Sequence, residues 1–283
     1  MPYILATALV APYTDAAMDF DAYKRLITLQ QKGGWTHILV NGTTGEPSLL
    51  SEEEKTSLLS FAIKNKGRLL VMAGCGTTDT QKTLQSCKRA EELGADCLLV
   101  VTPYYNKTNQ KGAVKHFEYI ADRVNLPMYL YNVPARTGFD LSVESVIELS
   151  KHEKIVGIKQ ANGNIADTAR LLPYLNDDFC LLCGDDALTL PFSAMGAKGV
   201  VSVVSNAYPR LVAEAFYGDI KAYSDLVELS GLIFKTTNPM PIKYLLYKNG
   251  VLSQYCLRLP LTEIEDGLKA AIDKKAEELT DYL

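Results

Sequence analysis

Eight short apolar runs, each followed by a longer amphipathic stretch, place the tightest limit on how this chain can fold. The runs are rich in valine, leucine and isoleucine without polar alternation, which indicates strands buried on both faces. Such strands alternating with helices predict a parallel sheet, and eight is the number that closes a (β/α)8 TIM barrel. The predicted strands are Ile4–Val10, His37–Asn41, Leu69–Ala73, Cys97–Val101, Met128–Tyr131, Ile155–Ile158, Phe179–Leu182 and Val200–Val204.

The stretches between the runs carry helix start and stop signals. The segment SEEEKTSLLSFAIKNKG opens with Ser51 and three acids and closes with a glycine, and DTQKTLQSCKRAEELG closes with Gly94. An open doubly wound sheet is the alternative architecture. A G-x-G-x-x-G after the first strand would favour it, and ALVAPYTD contains none.

The predicted barrel occupies residues 1–220, and the remainder is read as an appended part. Residues 221–283 predict three further helices. No glycine- and serine-rich linker precedes them. We therefore expect a helical extension packed on the barrel rather than a hinged domain.

Charge and apolar content narrow the function classes. The chain has 283 residues, of which 47% are hydrophobic and 22% charged, and its formal net charge is −4 without a basic run. Nucleic acid and anionic membrane are therefore poor partners. No run of 18 apolar residues exists, and the N-terminal residues lack a basic segment before their apolar stretch. Six scattered cysteines, mostly in apolar runs, suit reduced thiols, so we expect a cytoplasmic protein.

Metal and redox sites have little support. Cys180 and Cys183 form a C-x-x-C, but no second ligand pair or helix start accompanies it. The three histidines are His37, His116 and His152, and none is near another candidate ligand in the sequence.

Polar side chains follow the predicted strands where the strands end, which is where a barrel places its chemistry. Strand two runs into GTTGE, strand four into TPYYNK, strand five into YNVPARTG and strand seven into GDD. Strand six runs directly into Lys159. These motifs thus bring hydroxyls, phenols, an arginine and one lysine together at one end of the predicted barrel.

A lysine at this position can form an imine with a ketone. An apolar barrel wall disfavours the charged form of the amine and so favours the neutral nucleophile. Imine formation also needs protons carried to and from the carbinolamine oxygen. Tyr131 and Tyr105, with a threonine hydroxyl between them, would make such a relay, because phenol and hydroxyl groups donate and accept.

Arg136 and the GTTG loop are candidate carboxylate sites. The guanidinium supplies a planar fork, and the loop supplies backbone N–H groups and hydroxyls. Structural alternatives remain open for each feature. Tyr131 would then be a core aromatic, Arg136 a salt-bridge partner of Asp140 or Asp185, and GTTGE a turn that leads into a helix.

The whole chain resembles the dihydrodipicolinate synthase and N-acetylneuraminate lyase superfamily of lysine-dependent class I aldolases. GTTGE, PYYNK, YNVPARTG, GIK, GDD, NPMPIK and LRLPL stand in the order of that superfamily. Within it, Y-N-V-P-x-R-T-G is the pattern of the dihydrodipicolinate synthases. Sialic acid lyases lack the arginine and tend to have a serine for the first threonine.

The resemblance implies a role for each matching residue. Lys159 would form a Schiff base with pyruvate, with Thr44, Tyr131 and Tyr105 as the proton relay. Arg136 would hold the carboxylate of L-aspartate-4-semialdehyde. Pyruvate would be held by Thr43, Thr44 and the backbone near Val201. The product would be 4-hydroxy-tetrahydrodipicolinate, on the route to diaminopimelate and lysine, and no cofactor or metal is implied.

The resemblance also implies a homodimer or homotetramer, because Tyr105 is expected to reach across a dimer interface. Feedback inhibition by lysine is not expected. Of the residues that form the inhibitory cleft in regulated members, this chain keeps only Tyr104, and Lys82 stands where they hold a glutamate. The other departing positions are Pro47, Ser48, Glu52, Lys55 and Thr78.

Three further positions depart from the superfamily pattern. Gln160 replaces a usual glutamate and would remove a negative charge beside the amine, whereas Cys183 and Ala11 replace a usual serine and threonine. Two rival functions stay open. One is an aldolase that joins pyruvate to a sugar-acid aldehyde, and the other is a non-catalytic barrel that senses a keto acid.

Overall fold

Eight parallel strands form a closed barrel in the computed structural model, which describes residues 3–15, 17–176 and 178–283. Each strand pairs with its sequence neighbours, and the first pairs with the last. The predicted barrel is confirmed. The strands are β1 (Ile4–Ala8), β2 (His37–Val40), β3 (Leu70–Gly74), β4 (Cys97–Val101), β5 (Met128–Asn132), β6 (Ile155–Gln160), β7 (Cys180–Cys183) and β8 (Gly199–Ser202).

Helices connect the strands around the outside of the barrel and continue beyond the last strand. Their bounds are α1 (Phe20–Lys32), α2 (Glu52–Asn65), α3 (Thr80–Leu93), α4 (Gln110–Ala121), α5 (Pro134–Thr137), α6 (Val143–Leu149), α7 (Ile165–Ala169), α8 (Thr189–Ala194), α9 (Pro209–Phe216), α10 (Ile220–Ile233), α11 (Met240–Lys248) and α12 (Asp266–Glu278). Among the described residues, no helix combines the length and apolar character needed to cross a membrane.

The start and stop signals of two helices act as expected. Ser51 caps α2 in a capping box, in which its hydroxyl accepts from the backbone of Glu54 and the Glu54 carboxylate accepts from the backbone of Ser51. Helix α3 ends at Gly94 in the left-handed conformation, and the glycine N–H bonds back to the last turn.

Five strands differ in length from their predicted ranges, namely β1, β2, β5, β6 and β8, and β3 and β7 are shifted by one residue. Hydrogen bonds explain the ends of three of them. Strand β1 ends at Ala8 because the Val10 N–H bonds to the side chain of Asn206 rather than to a strand. Strand β8 ends at Ser202 because the next two N–H groups bond to the carboxylate of Asp186. Strand β6 continues through Gln160, since its pairing with β5 and β7 does not stop at the lysine.

Alternation along the strands creates two apolar layers. One face of each strand packs against the helices, and the other face points into the barrel. The interior layer is small on one side and bulky on the other, with alanines on β1 opposed by tyrosines on β5. Its members are Ile4, Ala6, Ala8, Leu39, Met72, Cys97, Leu99, Tyr129, Tyr131, Val133, Cys180, Leu182 and Val201.

Helices α10, α11 and α12 are the three helices predicted after the barrel. Helix α10 packs on α9, and α12 packs on both α10 and α11. The ammonium group of Lys275 on α12 contacts Asp225 at 2.8 Å and Glu228 at 2.7 Å, both on α10, and Glu278 at 3.2 Å. Three acceptors thus match the three donors of one ammonium group and fix α12 to α10. The division of the chain at residue 220 itself stays a prediction.

Candidate active site

Lys159 lies inside strand β6 rather than just beyond it. Its register partners are Tyr131 on β5 and Leu182 on β7, and its side chain is only 5% exposed. Both partners belong to the interior layer, so the lysine points into the barrel near the carboxyl ends of the strands. The sequence thus places a buried amine at the catalytic end of a barrel.

Tyr131 covers the amine from the neighbouring strand. The Lys159 Nζ atom lies 4.1 Å from the centroid of the Tyr131 ring. A ring face at this distance stabilises a cation, including the iminium form of a Schiff base. On the other side, a Cβ added at Gly184 would stand 3.0 Å from the Lys159 Cε and 2.8 Å from Ala161, so the glycine of GDD leaves room for the lysine chain. Tyr131 is therefore a core aromatic that also contacts the amine.

The GTTGE motif forms a 3-10 turn over the end of β2. The turn spans Thr43–Gly45, with Thr44 buried and Thr43 half-buried. Two hydrogen bonds close it, from the Gly45 N–H to the Gly42 carbonyl at 2.8 Å and from the Glu46 N–H to the Thr43 carbonyl at 3.1 Å. The leading N–H groups of such a turn have no partner within it, so they are available to an anion. The helix-entry reading also holds, because a second turn and α2 follow.

Arg136 lies exposed on α5, at the rim of the barrel. Its Nη2 donates to the backbone carbonyl of Asn238 at 3.3 Å. The alternative salt bridges do not form: Asp140 accepts from the Asn132 amide at 2.7 Å, and Asp185 accepts from the Ala187 backbone at 3.0 Å. The guanidinium therefore keeps most of its donors for a ligand, at an entrance rather than in a buried contact.

Tyr105 does not join the other candidate residues within the chain. Its side chain is 84% exposed, and its backbone is left-handed, with φ of 65°. A bulky residue in this conformation is uncommon and marks a position where a constraint outweighs local strain. Val201 in contrast lies buried on β8, in the interior layer, with Ala6 of β1 as its register partner.

Asn238 was quoted in the sequence only as part of NPMPIK, and the structure brings it to the site. The residue lies between α10 and α11 and is 5% exposed. Its side-chain Nδ2 donates to Thr44 Oγ1 at 3.0 Å, and its backbone carbonyl accepts from Arg136. The extension therefore contributes to the site. No local sequence signal indicates this, because the contact depends on how the extension folds back over the barrel.

A buried ion pair joins the same two segments. Glu46, which ends the GTTGE motif, pairs with Lys243 on α11, and both side chains are essentially inaccessible. Burial raises the pKa of Glu46 and lowers the pKa of Lys243, while their mutual attraction acts in the opposite direction on each. The Lys243 ammonium also lies 4.0 Å from the ring centroid of Tyr13. The sequence analysis did not identify this pair, although a lysine within the apolar run MPIKYLL could have indicated a buried partner.

Gln160 does not lie beside the amine, which corrects the expectation drawn from the sequence. Successive residues of a strand point to opposite faces, so Gln160 faces away from the barrel interior. Its Oε1 accepts from the Asn132 amide at 2.9 Å. Cys180 and Cys183 are likewise on opposite faces of β7, which separates their side chains.

Comparisons with known proteins agree with this arrangement. Residues 2–279 match the model of the Dihydrodipicolinate synthetase family. The chain is 42% identical over 265 residues to the 4-hydroxy-tetrahydrodipicolinate synthase of Exiguobacterium sibiricum, with 90% of each chain covered.

Two solved structures have the same fold over all or nearly all of their length. The chloride-inhibited dihydrodipicolinate synthase of Acinetobacter baumannii, complexed with pyruvate, has a TM-score of 0.94 at 32% identity and covers 100% of each chain. The enzyme of Cyanidioschyzon merolae with lysine bound has a TM-score of 0.92 at 33% identity and covers 97% of each. This chain therefore belongs to the Dihydrodipicolinate synthetase family.

Proposed function

We propose that this protein is a 4-hydroxy-tetrahydrodipicolinate synthase that condenses pyruvate with L-aspartate-4-semialdehyde through a Schiff base on Lys159. The observation that carries the proposal is the position of this buried amine, inside the barrel and 4.1 Å from the Tyr131 ring. The names of the relatives support the same reaction. The reaction would serve lysine and diaminopimelate biosynthesis.

The first half of the reaction activates pyruvate. The neutral Lys159 amine attacks the ketone carbon and gives a carbinolamine, whose oxygen takes up a proton and leaves as water. Tyr131 and Thr44 hold and return the protons, and the ring face of Tyr131 stabilises the iminium cation. Transfer of a proton from the methyl group to the relay then gives the enamine nucleophile. The pyruvate carboxylate rests on the turn formed by Thr43 and Thr44, close to the backbone of Val201.

The second half joins the two substrates. Arg136 binds the carboxylate of the semialdehyde at the entrance. The enamine carbon attacks the aldehyde carbon to form the new C–C bond, and the aldehyde oxygen takes up a proton from the relay and becomes the hydroxyl group of the product. The α-amine of the semialdehyde next attacks the imine carbon and displaces the lysine. This step closes a six-membered ring and restores the free amine. The covalent imine supplies the electron sink, so the proposal includes no cofactor and no metal.

A homo-oligomer completes the relay in this proposal. An exposed tyrosine held in a left-handed backbone suits insertion into a neighbouring subunit, so we propose that Tyr105 acts in the partner's site of a homodimer or homotetramer. Mixing Tyr105→Phe with Lys159→Ala tests this. A mixed dimer contains one site with both groups intact, so activity should exceed the sum of the two separate variants. Purely additive activity would contradict the cross-subunit role.

Insensitivity to lysine is part of the proposal. Lys82 is exposed on α3. Repulsion between its ammonium group and that of a lysine bound about 4 Å away would reduce the binding free energy by roughly 1–4 kcal/mol. Glu52 does not compensate, because its side chain is 61% exposed and contacts Lys55 at 2.8 Å and Arg89 at 3.4 Å. We expect full activity in millimolar L-lysine. Half-inhibition below about 1 mM, the affinity of a ~4 kcal/mol site, would contradict it.

The substrate assignment is tested by turnover. The protein is incubated with pyruvate and either L-aspartate-4-semialdehyde or a sugar-acid aldehyde, and the cyclic product is followed by mass spectrometry. We expect product with the semialdehyde and none with the sugar acid. The reverse preference would support the related aldolase, and a bound keto acid without any turnover would support the sensor.

We also propose a cytoplasmic location, because all six cysteines are free thiols and thiols stay reduced in the cytoplasm.

A further inference from the structure

Asn238 contacts two candidate residues that come from different loops of the barrel. Its side-chain Nδ2 lies 3.0 Å from Thr44 Oγ1 in the GTTGE turn, and its backbone carbonyl lies 3.3 Å from Arg136 Nη2 on α5. Asn238 is only 5% exposed, so its position is fixed by the protein groups packed around it. Its side-chain contact and its backbone contact can be changed independently, since substitution leaves the carbonyl in place.

The direction of the hydrogen bond has a chemical consequence. A hydroxyl group has one hydrogen to donate and two lone pairs to accept, whereas an amide nitrogen only donates. Thr44 Oγ1 is therefore the acceptor, and its own hydrogen is free for another partner. We infer that Asn238 is a positioning residue that turns the Thr44 hydroxyl hydrogen toward the proton relay. This inference rests on the proposed function.

Neighbouring contacts hold both partners in place. Glu46 follows Thr44 in the GTTGE motif, and Lys243 lies on α11, which begins just after Asn238. Glu46 and Lys243 form the buried ion pair. The segments that carry the hydroxyl and the amide are thus fixed to each other by a contact that does not involve either group. Within the described part of the chain, the bond to Thr44 is the only hydrogen bond that the Asn238 side chain makes.

An isosteric substitution separates the positioning role from a packing role. Asn238→Asp has the same shape, but a carboxylate only accepts, so the Thr44 hydrogen would turn toward it and leave the relay. Asn238→Ala removes the donor and leaves the hydroxyl free to rotate. We expect Asn238→Asp to lower kcat by about 10- to 100-fold and Asn238→Ala to lower it less. This loss is at or below the roughly 100-fold lower limit of a proton-transfer contribution, because the Thr44 hydroxyl is misdirected rather than removed. A residue that only fills space would give the opposite order.

A double-mutant cycle with Thr44→Val tests whether Asn238 acts through the hydroxyl. In the Thr44→Val background we expect Asn238→Asp to change kcat by less than about twofold, because no hydroxyl is left to orient. The KM for the semialdehyde should change little, since the carbonyl that contacts Arg136 remains. Asn249→Asp is the control, with the same chemical change on a half-buried asparagine after α11. We expect it to leave kcat unchanged.

The outcomes separate this inference from the proposed function. The same kcat loss in both backgrounds, or a parental kcat for Asn238→Asp, would overturn the inference while the parent still turns over. A parent without turnover would overturn the proposed function and the inference with it. If circular dichroism shows that Asn238→Asp does not fold, the cycle is measured with Asn238→Ala, for which additive losses would overturn the inference.

Discussion

Most N–H donors of Arg136 face solvent at the rim of the site, and this exposure limits how much its substitution should lower the efficiency with the semialdehyde. A charge-assisted hydrogen bond contributes about 1.5–3 kcal/mol, less than a fully buried bidentate contact. We expect Arg136→Ala to lower kcat/KM for the semialdehyde by about 10- to 150-fold, following the conversion of about 1.4 kcal/mol per factor of ten. Imine formation with pyruvate should be unaffected.

Steady-state kinetics with the semialdehyde varied, together with borohydride trapping of pyruvate, measure both halves of this expectation. Arg123→Ala is the matched control, because Arg123 follows α4 at the other end of the barrel and stacks on Tyr119. Unchanged semialdehyde kinetics in Arg136→Ala would show that the guanidinium is structural.

Individual residues differ in how far the sequence could predict them. A lysine directly after an apolar strand most often only marks where the strand meets water. Lys159 was predicted as a site residue because hydroxyls, phenols and an arginine follow the neighbouring strands at the same end of the barrel. The direction of Gln160 was predicted wrongly because adjacency in the sequence was read as adjacency in space, whereas β6 extends through both residues and alternation separates their side chains. Asn238 could not be given a role, since its contacts with Thr44 and Arg136 require the folded extension.

The buried pair of Glu46 and Lys243 is the main polar connection between the GTTGE turn and α11. Glu46 also has a left-handed backbone, with φ of 54°. Removing one partner of a buried pair leaves an uncompensated charge and typically costs about 3–5 kcal/mol. We expect Lys243→Met to lower the free energy of unfolding by this amount, measured by urea denaturation.

A second substitution separates the charge effect from packing. The double variant Glu46→Gln, Lys243→Met carries no charge at either position of the pair, so it should recover a large part of the lost stability. Lys248→Met is the matched control on the same helix, where the lysine is 46% exposed and pairs with Asp273 at the surface. A stability of Lys243→Met equal to that of Lys248→Met would contradict the account of this pair.

At the level of elements, the sequence predicted strands well and their ends less well. Apolar runs identify buried strands because every side chain of such a strand avoids water. The end of a strand depends on which group accepts each backbone N–H. After β1 the Val10 N–H donates to the Asn206 side chain, and after β8 the Val203 N–H donates to the Asp186 carboxylate. Those acceptors come from distant parts of the chain and are not visible in a local pattern.

Stability of the whole molecule should decrease in mild acid because of its buried histidines. Burial lowers the pKa of His116 to about 4, despite the opposing effect of Asp79, and the Thr80 hydroxyl lies 2.9 Å from its Nδ1. An unfolded histidine titrates near 6.5, so the unfolded chain binds more protons between pH 6.5 and 4. The contribution of His116 is thus complete above about pH 6.5 and is lost as the pH falls toward 4.

Comparing the parent with His116→Gln separates the titration of His116 from that of all other groups. Between pH 7 and pH 5, the parent should lose about 2 kcal/mol more unfolding free energy than His116→Gln, which cannot take up the proton. Chemical denaturation of both proteins at the two pH values measures the difference. Equal losses in parent and variant would show that His116 does not resist protonation in the folded state.

The Schiff base on Lys159 is the central claim, and trapping it with borohydride tests it most directly. The protein is incubated with pyruvate, reduced and mapped by peptide mass spectrometry, with Lys159→Ala treated in parallel. We expect one adduct, on Lys159, with Lys243 unmodified, no adduct in the variant, and variant turnover below about 1% of the parent. No adduct in the parent, an adduct on another lysine, or substantial turnover by Lys159→Ala would contradict the mechanism.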